Sequence, residues 1–93
     1  MIEVAGNCLK VTGAMVIDTA AALKKAGDAA IAAGAAKVDL SAVTDADSAA
    51  VAILLSWVRV AQDQRASLSI VNPPESIRSL ATLYGVAELL PMA

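Results

Sequence analysis

Hydrophobic and polar positions alternate from Lys37 to Leu40, with Val38 and Leu40 on one side, which is the pattern of a strand with one face inward. Ser41 to Asp47 then carries only turn and cap residues, and from Ser48 the period changes to that of a helix running to about Gln62. Ala49 through Leu55 is apolar on every side, so this helix must be buried on more than one flank. The rest of the chain organises around this strand, turn and helix.

Upstream, Ile2 to Ala5 and Cys8 to Thr12 are β-prone runs separated by Gly6-Asn7, a two-residue hairpin connection that predicts an antiparallel pair. Asp18 or Thr19 can cap a helix to about Ala33, with Leu23, Ala26, Ala30 and Ile31 along its apolar stripe and Gly34 as its stop. Downstream, Ser67 to Val71 reads as a further strand, and joining it to the Lys37 strand through a helix predicts parallel pairing. Asn72-Pro73-Pro74 breaks the chain ahead of a helix from Glu75 to Tyr84 with stripe Ile77, Leu80, Ala81 and Tyr84. Val86 to Leu90 is a short apolar tail that tucks against this last helix. The expectation is one α/β domain over residues 1–93: a small mixed sheet of about four strands with three helices packed on it, in the order β-β-α-β-α-β-α.

Composition narrows the function classes. Trp57 and Tyr84 are the only aromatics, so the core must be built from Ala, Val, Leu and Ile, and elements can approach closely. A net charge of -2 with no basic run lacks the footprint that phosphate neutralisation requires, which sets nucleic acid aside. Without His the usual general base and metal ligand are missing, and the one cysteine, Cys8, excludes an internal disulfide. Asp45 and Asp47 with Asp39 could suggest a divalent cation, but the spacing lacks the central Gly and distant Glu of a calcium loop, so no metal and no cofactor are expected. Ser48 has neither a His partner nor a glycine elbow, which argues against an acyl-transfer enzyme. The longest uncharged apolar run, Ala49 to Val58, is well short of the ~20 residues of a spanning helix. The start Met1-Ile2-Glu3-Val4 lacks the basic and apolar regions of a secretory signal, so the expected location is the cytosol, at the inner membrane only through a partner.

Two features of the central helix bear on partners. Ser48, at its opening, can act as the N-cap, and a phosphate there would meet the same free N–H groups. Ala50, Ile53, Trp57 and Val60 share a flank beside the core stripe Val51, Leu54, Leu55 and Val58, and that flank is not polar. Either Trp57 is buried under the third helix, or it stands exposed beside Ile53 as an anchor for another protein.

The element order, the strand ending Val38-Asp39-Leu40-Ser41 and the helix opening Asp47-Ser48-Ala49-Ala50-Val51 resemble a STAS domain. The resemblance covers nearly the whole chain. The family's glycine after the two small residues is Ala50 here, whose methyl would stand between the first helical turn and a partner. Asn72-Pro73-Pro74-Glu75-Ser76 and the run Leu80 to Leu90 resemble the MlaB-like subgroup, STAS subunits of bacterial phospholipid-transport ABC complexes that maintain outer-membrane lipid asymmetry. Membership would imply a non-catalytic adaptor bound to the ATPase subunit through Ser48, Thr44, Asp45, Asp47, Ala49, Ala50, Ile53 and Trp57. The alternative that the family offers is an anti-sigma-factor antagonist, phosphorylated at Ser48 by a serine kinase and recognised by an anti-sigma factor. In that case a dianion at Ser48 would repel the carboxylates of Asp45 and Asp47.

Overall fold

A computed structural model describes residues 1–92. The hairpin pairs β1 (Ile2–Ala5) with β2 (Cys8–Met15) antiparallel, in a register that sets Ala5 opposite Cys8. Gly6 has φ +59, the positive value that the first position of a type II′ turn requires. Helix α1 (Ile17–Ala32) returns the chain to β3 (Lys37–Ala46), which lies parallel to β2, and α2 (Ser48–Asp63) returns it to β4 (Ser69–Val71), parallel to β3. The four strands stand in the order β1-β2-β3-β4. Helix α3 (Glu75–Leu83) and a 3-10 turn at Ala87–Leu89 complete the chain, and the Ile70 N–H donates to the Pro91 carbonyl at 2.9 Å, so the C-terminal segment covers the β4 edge. The element order and the mixed four-stranded sheet agree with the sequence reading.

The main departure is the length of β3. The stretch from Ser41 expected as a turn continues the strand to Ala46, alongside an equally extended β2. Two irregularities in the β2–β3 register hide it: Lys10 and Thr12 face Asp39 and Ala42, and Gly13 and Ala14 face Val43 and Asp45. Each inserts an extra residue in β3, so a period-2 pattern cannot persist. At the first, the Ser41 N–H is satisfied by Oδ1 of Asp39 at 2.9 Å rather than by the ladder. The last strand starts at Ser69, two residues later than expected.

Leu9, Val11, Val38, Leu40 and Ile70 line the buried face of the sheet, with Cys8, Lys10, Lys37, Asp39 and Ser69 on the other. The helices pack on the buried face. Trp57 occupies its centre with no exposed surface, and α1, not the third helix, covers it. The indole N–H donates to the Lys24 carbonyl at 3.3 Å, and Gly27 lies against the ring where any Cβ would overlap the indole. The buried stripe of α1 is therefore Leu23, Gly27 and Ile31, and Ala26, expected inside, is exposed. In α3, Ile77 and Ala81 are buried, but Tyr84, the C-cap just after it, is 53% exposed.

Candidate functional site

The site forms where β2 and β3 end and α1 and α2 begin. The N-cap of α2 is Asp47, one residue before the Ser48 expected to cap it. Asp47 Oδ1 accepts from the Ala49 N–H at 2.8 Å, which is the ordinary work of a cap. Its Oδ2 accepts from the Ile17 N–H at 3.1 Å, in the first turn of the other helix. One carboxylate thus ties two helix N-termini, and the Asp47 N–H donates to the Met15 carbonyl at 3.3 Å. With the capping done by Asp47, Ser48 stands as the first helical residue, exposed, its hydroxyl without an intramolecular partner among the described residues.

Helices α1 and α2 run side by side in the same direction, since Ile17 meets Asp47 and Lys24 and Gly27 meet Trp57. Between these points lies an apolar groove walled by Ile17, Ala20, Ala21, Ser48, Ala49 and Ala52, with Ile53 as its floor. A second groove on the opposite flank of α2 is lined by Ser48, Val51, Ala52, Leu55, Tyr84 and Val86. Ser48 and Ala52 belong to both and form a low ridge between them, one helical turn apart.

Of the residues singled out in the sequence, Thr44 and Asp45 are exposed at the end of β3, Thr44 as the extra residue of the second bulge, and Ser48 and half-buried Ala49 border the grooves. Ala50, Ile53 and Trp57 are corrected. Ala50 and Trp57 have no exposed surface and Ile53 only 3%, because α1 lies over this flank, so of the two alternatives Trp57 is the buried one, with α1 against its ring. The apolar contributors that the sequence reading missed are exposed Ile17, Ala21, Ala52 and Tyr84 and half-buried Ala20. The spacing of Ser48 and Ala52, four apart on a helix, was the available signal.

Asp39 lies apart from this site. Its carboxyl is held below the usual aspartate range first by the Ser41 N–H, partly offset by desolvation, and then by the Ser41 and Asn72 side chains and the positive charge of Lys10. Among the described residues no three His, Cys, Asp or Glu side chains gather as metal ligands, and no helix is long and apolar enough to cross a membrane.

The chain belongs to the STAS family: the model of the family described as "Mlab, STAS domain" matches residues 2–91. A search of curated proteins gives no significant match. Among solved structures, the anti-sigma factor antagonist SpoIIAA in its unphosphorylated form is similar over 100% of this chain and 84% of that one, with a TM-score of 0.74 at 16% identity. A candidate anti-sigma factor antagonist of Thermotoga maritima, tm1081, is similar over 99% of this chain and 83% of that one, with a TM-score of 0.76 at 15% identity. At these identities the likeness is one of fold. STAS domains are generally non-catalytic regulatory modules that act through protein–protein contacts.

Proposed function

We propose that this chain is a non-catalytic adaptor that binds the ATPase subunit of a phospholipid-transport ABC complex through the ridge of Ser48 and Ala52 and the two grooves beside it. The observation that carries the reading is the surface itself. An exposed apolar strip built from alanines and a serine, with Ile17 and Tyr84 at its margins, lets a partner backbone come close and offers larger side chains for it to grip. The family description, "Mlab, STAS domain", supports the choice of an ABC ATPase as partner. Bound in this way, the chain sits at the cytoplasmic face of the inner membrane through its partner and acts only on that partner's activity.

The second reading, an anti-sigma-factor antagonist switched at Ser48, is supported by a different observation. The Ser48 hydroxyl is exposed and unengaged at a helix start, where a kinase could reach it and where the helix N–H groups favour a phosphate.

Ser48→Arg tests the shared face. Arg in the first turn opposes the helix dipole, a cost of only about 0.3–1 kcal/mol, so circular dichroism should report a folded protein. Co-purification with the ATPase should be lost. A folded Ser48→Arg protein that binds as well as the parent removes Ser48 from the interface. If it is the parent that fails to bind the ATPase but is phosphorylated at Ser48 by a serine kinase, the second reading takes its place.

A further inference from the structure

We infer that Asp47 is a positioning residue that sets the shape of the groove between α1 and α2. An N-cap needs one acceptor, and Asp47 supplies it through Oδ1 to the Ala49 N–H. The second oxygen has no role in capping α2, yet it reaches thirty residues back in the chain to the Ile17 N–H. The two helices are fastened again seven to ten residues further along, where the Trp57 indole N–H meets the Lys24 carbonyl and the ring lies on Gly27, with Ser56 Oγ donating to Asp28 Oδ1 at 3.4 Å beside it. At 1.5 Å per residue the two fastenings stand about 10–15 Å apart along the helices. The apolar groove lies between them.

The two ends are held differently. The far end is locked by a buried aromatic ring, whereas at the near end Ile17 is 73% exposed and its side chain has little packing to hold it. The first turn of α1 is kept beside α2 by the carboxylate of Asp47, with Thr19 tying that turn to its own strand through the Val16 N–H and the Ala14 carbonyl. Ile17 is the lip of the groove. Beyond the strand pairing that ends at Met15 and Ala46 and the Asp47 N–H to Met15 carbonyl bond, its distance from Ser48 and Ala49 is set by the Asp47 carboxylate, a side chain that itself offers no apolar surface to a partner.

Asp47→Ser separates clamping from capping, because a serine hydroxyl is as good an N-cap as a carboxylate but is one oxygen and cannot serve both helices. Amide hydrogen exchange of the variant should show the Ile17 N–H exchanging roughly two- to tenfold faster, the factor that one ordinary hydrogen bond represents, with the Ala49 N–H unchanged. Asp47→Ala should accelerate both. Equal Ile17 exchange in the parent and Asp47→Ser overturns the clamp. The effect on binding rests on the adaptor reading: Asp47→Ser should bind the ATPase more weakly while melting close to the parent. A variant with a loosened Ile17 that binds as tightly as the parent overturns the positioning role. A parent that does not bind the ATPase counts against the adaptor reading, and the exchange measurement then decides the clamp by itself.

Discussion

Replacing Gly27 by alanine should destabilise this protein although the substitution lies inside a helix, where alanine is normally the better residue by about 1 kcal/mol. Gly27 is buried in α1 with backbone angles that any residue can adopt, so its glycine is not needed for conformation. It is needed for space. A Cβ there would overlap Cε2, Nε1 and Cζ2 of Trp57, and these are the rigid middle of a fully buried ring, not the end of a flexible side chain. Either α1 shifts outward or the indole turns in its pocket. Overpacking of this kind costs about 1–3 kcal/mol. Movement of the ring also breaks the hydrogen bond from Nε1 to the Lys24 carbonyl, a further loss of about 0.5–1.5 kcal/mol. Subtracting the helix-propensity gain leaves a net loss of about 0.5–3.5 kcal/mol. In a domain of this size each kcal/mol moves Tm by about 4–8 °C, so a circular dichroism melt should fall by about 2–28 °C. A double-mutant cycle isolates the cause: in a Trp57→Leu background the clash is gone, and Gly27→Ala should become neutral or stabilising. A Gly27→Ala protein that melts at or above the parent temperature would refute the packing of Trp57 beneath α1, as would equal penalties in both backgrounds.

Two further outcomes follow from the surface and from Asp39. Ala52→Glu should leave the melt within a few degrees of the parent, because Ala52 is exposed and Glu is a good helix former, but should weaken ATPase binding more than tenfold by placing an unpaired carboxylate on the ridge; an isothermal titration checks it. Asp39 has a folded-state pKa below its ordinary value, so it contributes stability that is complete above about pH 4 and disappears as pH falls through the lower folded value. Melts of the parent and Asp39→Asn should differ at pH 6, with the difference shrinking as pH falls below about 4, and a difference that grows on acidification would show the sign to be wrong.

The parts of the fold that were legible in the sequence are those where period and chemistry agree. Val38 and Leu40 mark a strand, Gly6-Asn7 marks a hairpin, and the apolarity of α2 on every side correctly implied burial on more than one flank. Legibility fails in β3 beyond Leu40, where two bulges interrupt the alternation and the exposed Ser41, Thr44 and Asp45 imitate a turn. It fails by one residue at the cap, since Asp47 and Ser48 are both good N-cap residues and the sequence does not say which of them accepts from the first helical N–H groups; in the fold it is Asp47, whose second oxygen also meets Ile17, thirty positions away. The cover over Trp57 was hidden for a related reason. Its marker is a missing side chain at Gly27, which carries no hydrophobic signal of its own.

Alanine is the deeper difficulty, because a methyl group is tolerated on either side of a helix and gives pattern analysis no contrast. Ala50, Ala61 and Ala81 are buried, whereas Ala21 and Ala52 are exposed, and residue hydrophobicity does not separate the two sets in a chain this rich in alanine. The same property suits the proposed surface. An exposed alanine strip presents little apolar area to water, so a free chain can carry it at small cost, while the absence of longer side chains allows a partner close approach. This also settles the departure at Ala50. The methyl that replaces the family's glycine was expected to stand between the helix and a partner, but Ala50 has no exposed surface and points into the core beside Ile53 and Leu54. The substitution adds buried contact inside the domain and leaves the outer face, at Ser48 and Ala52, as open as a glycine would.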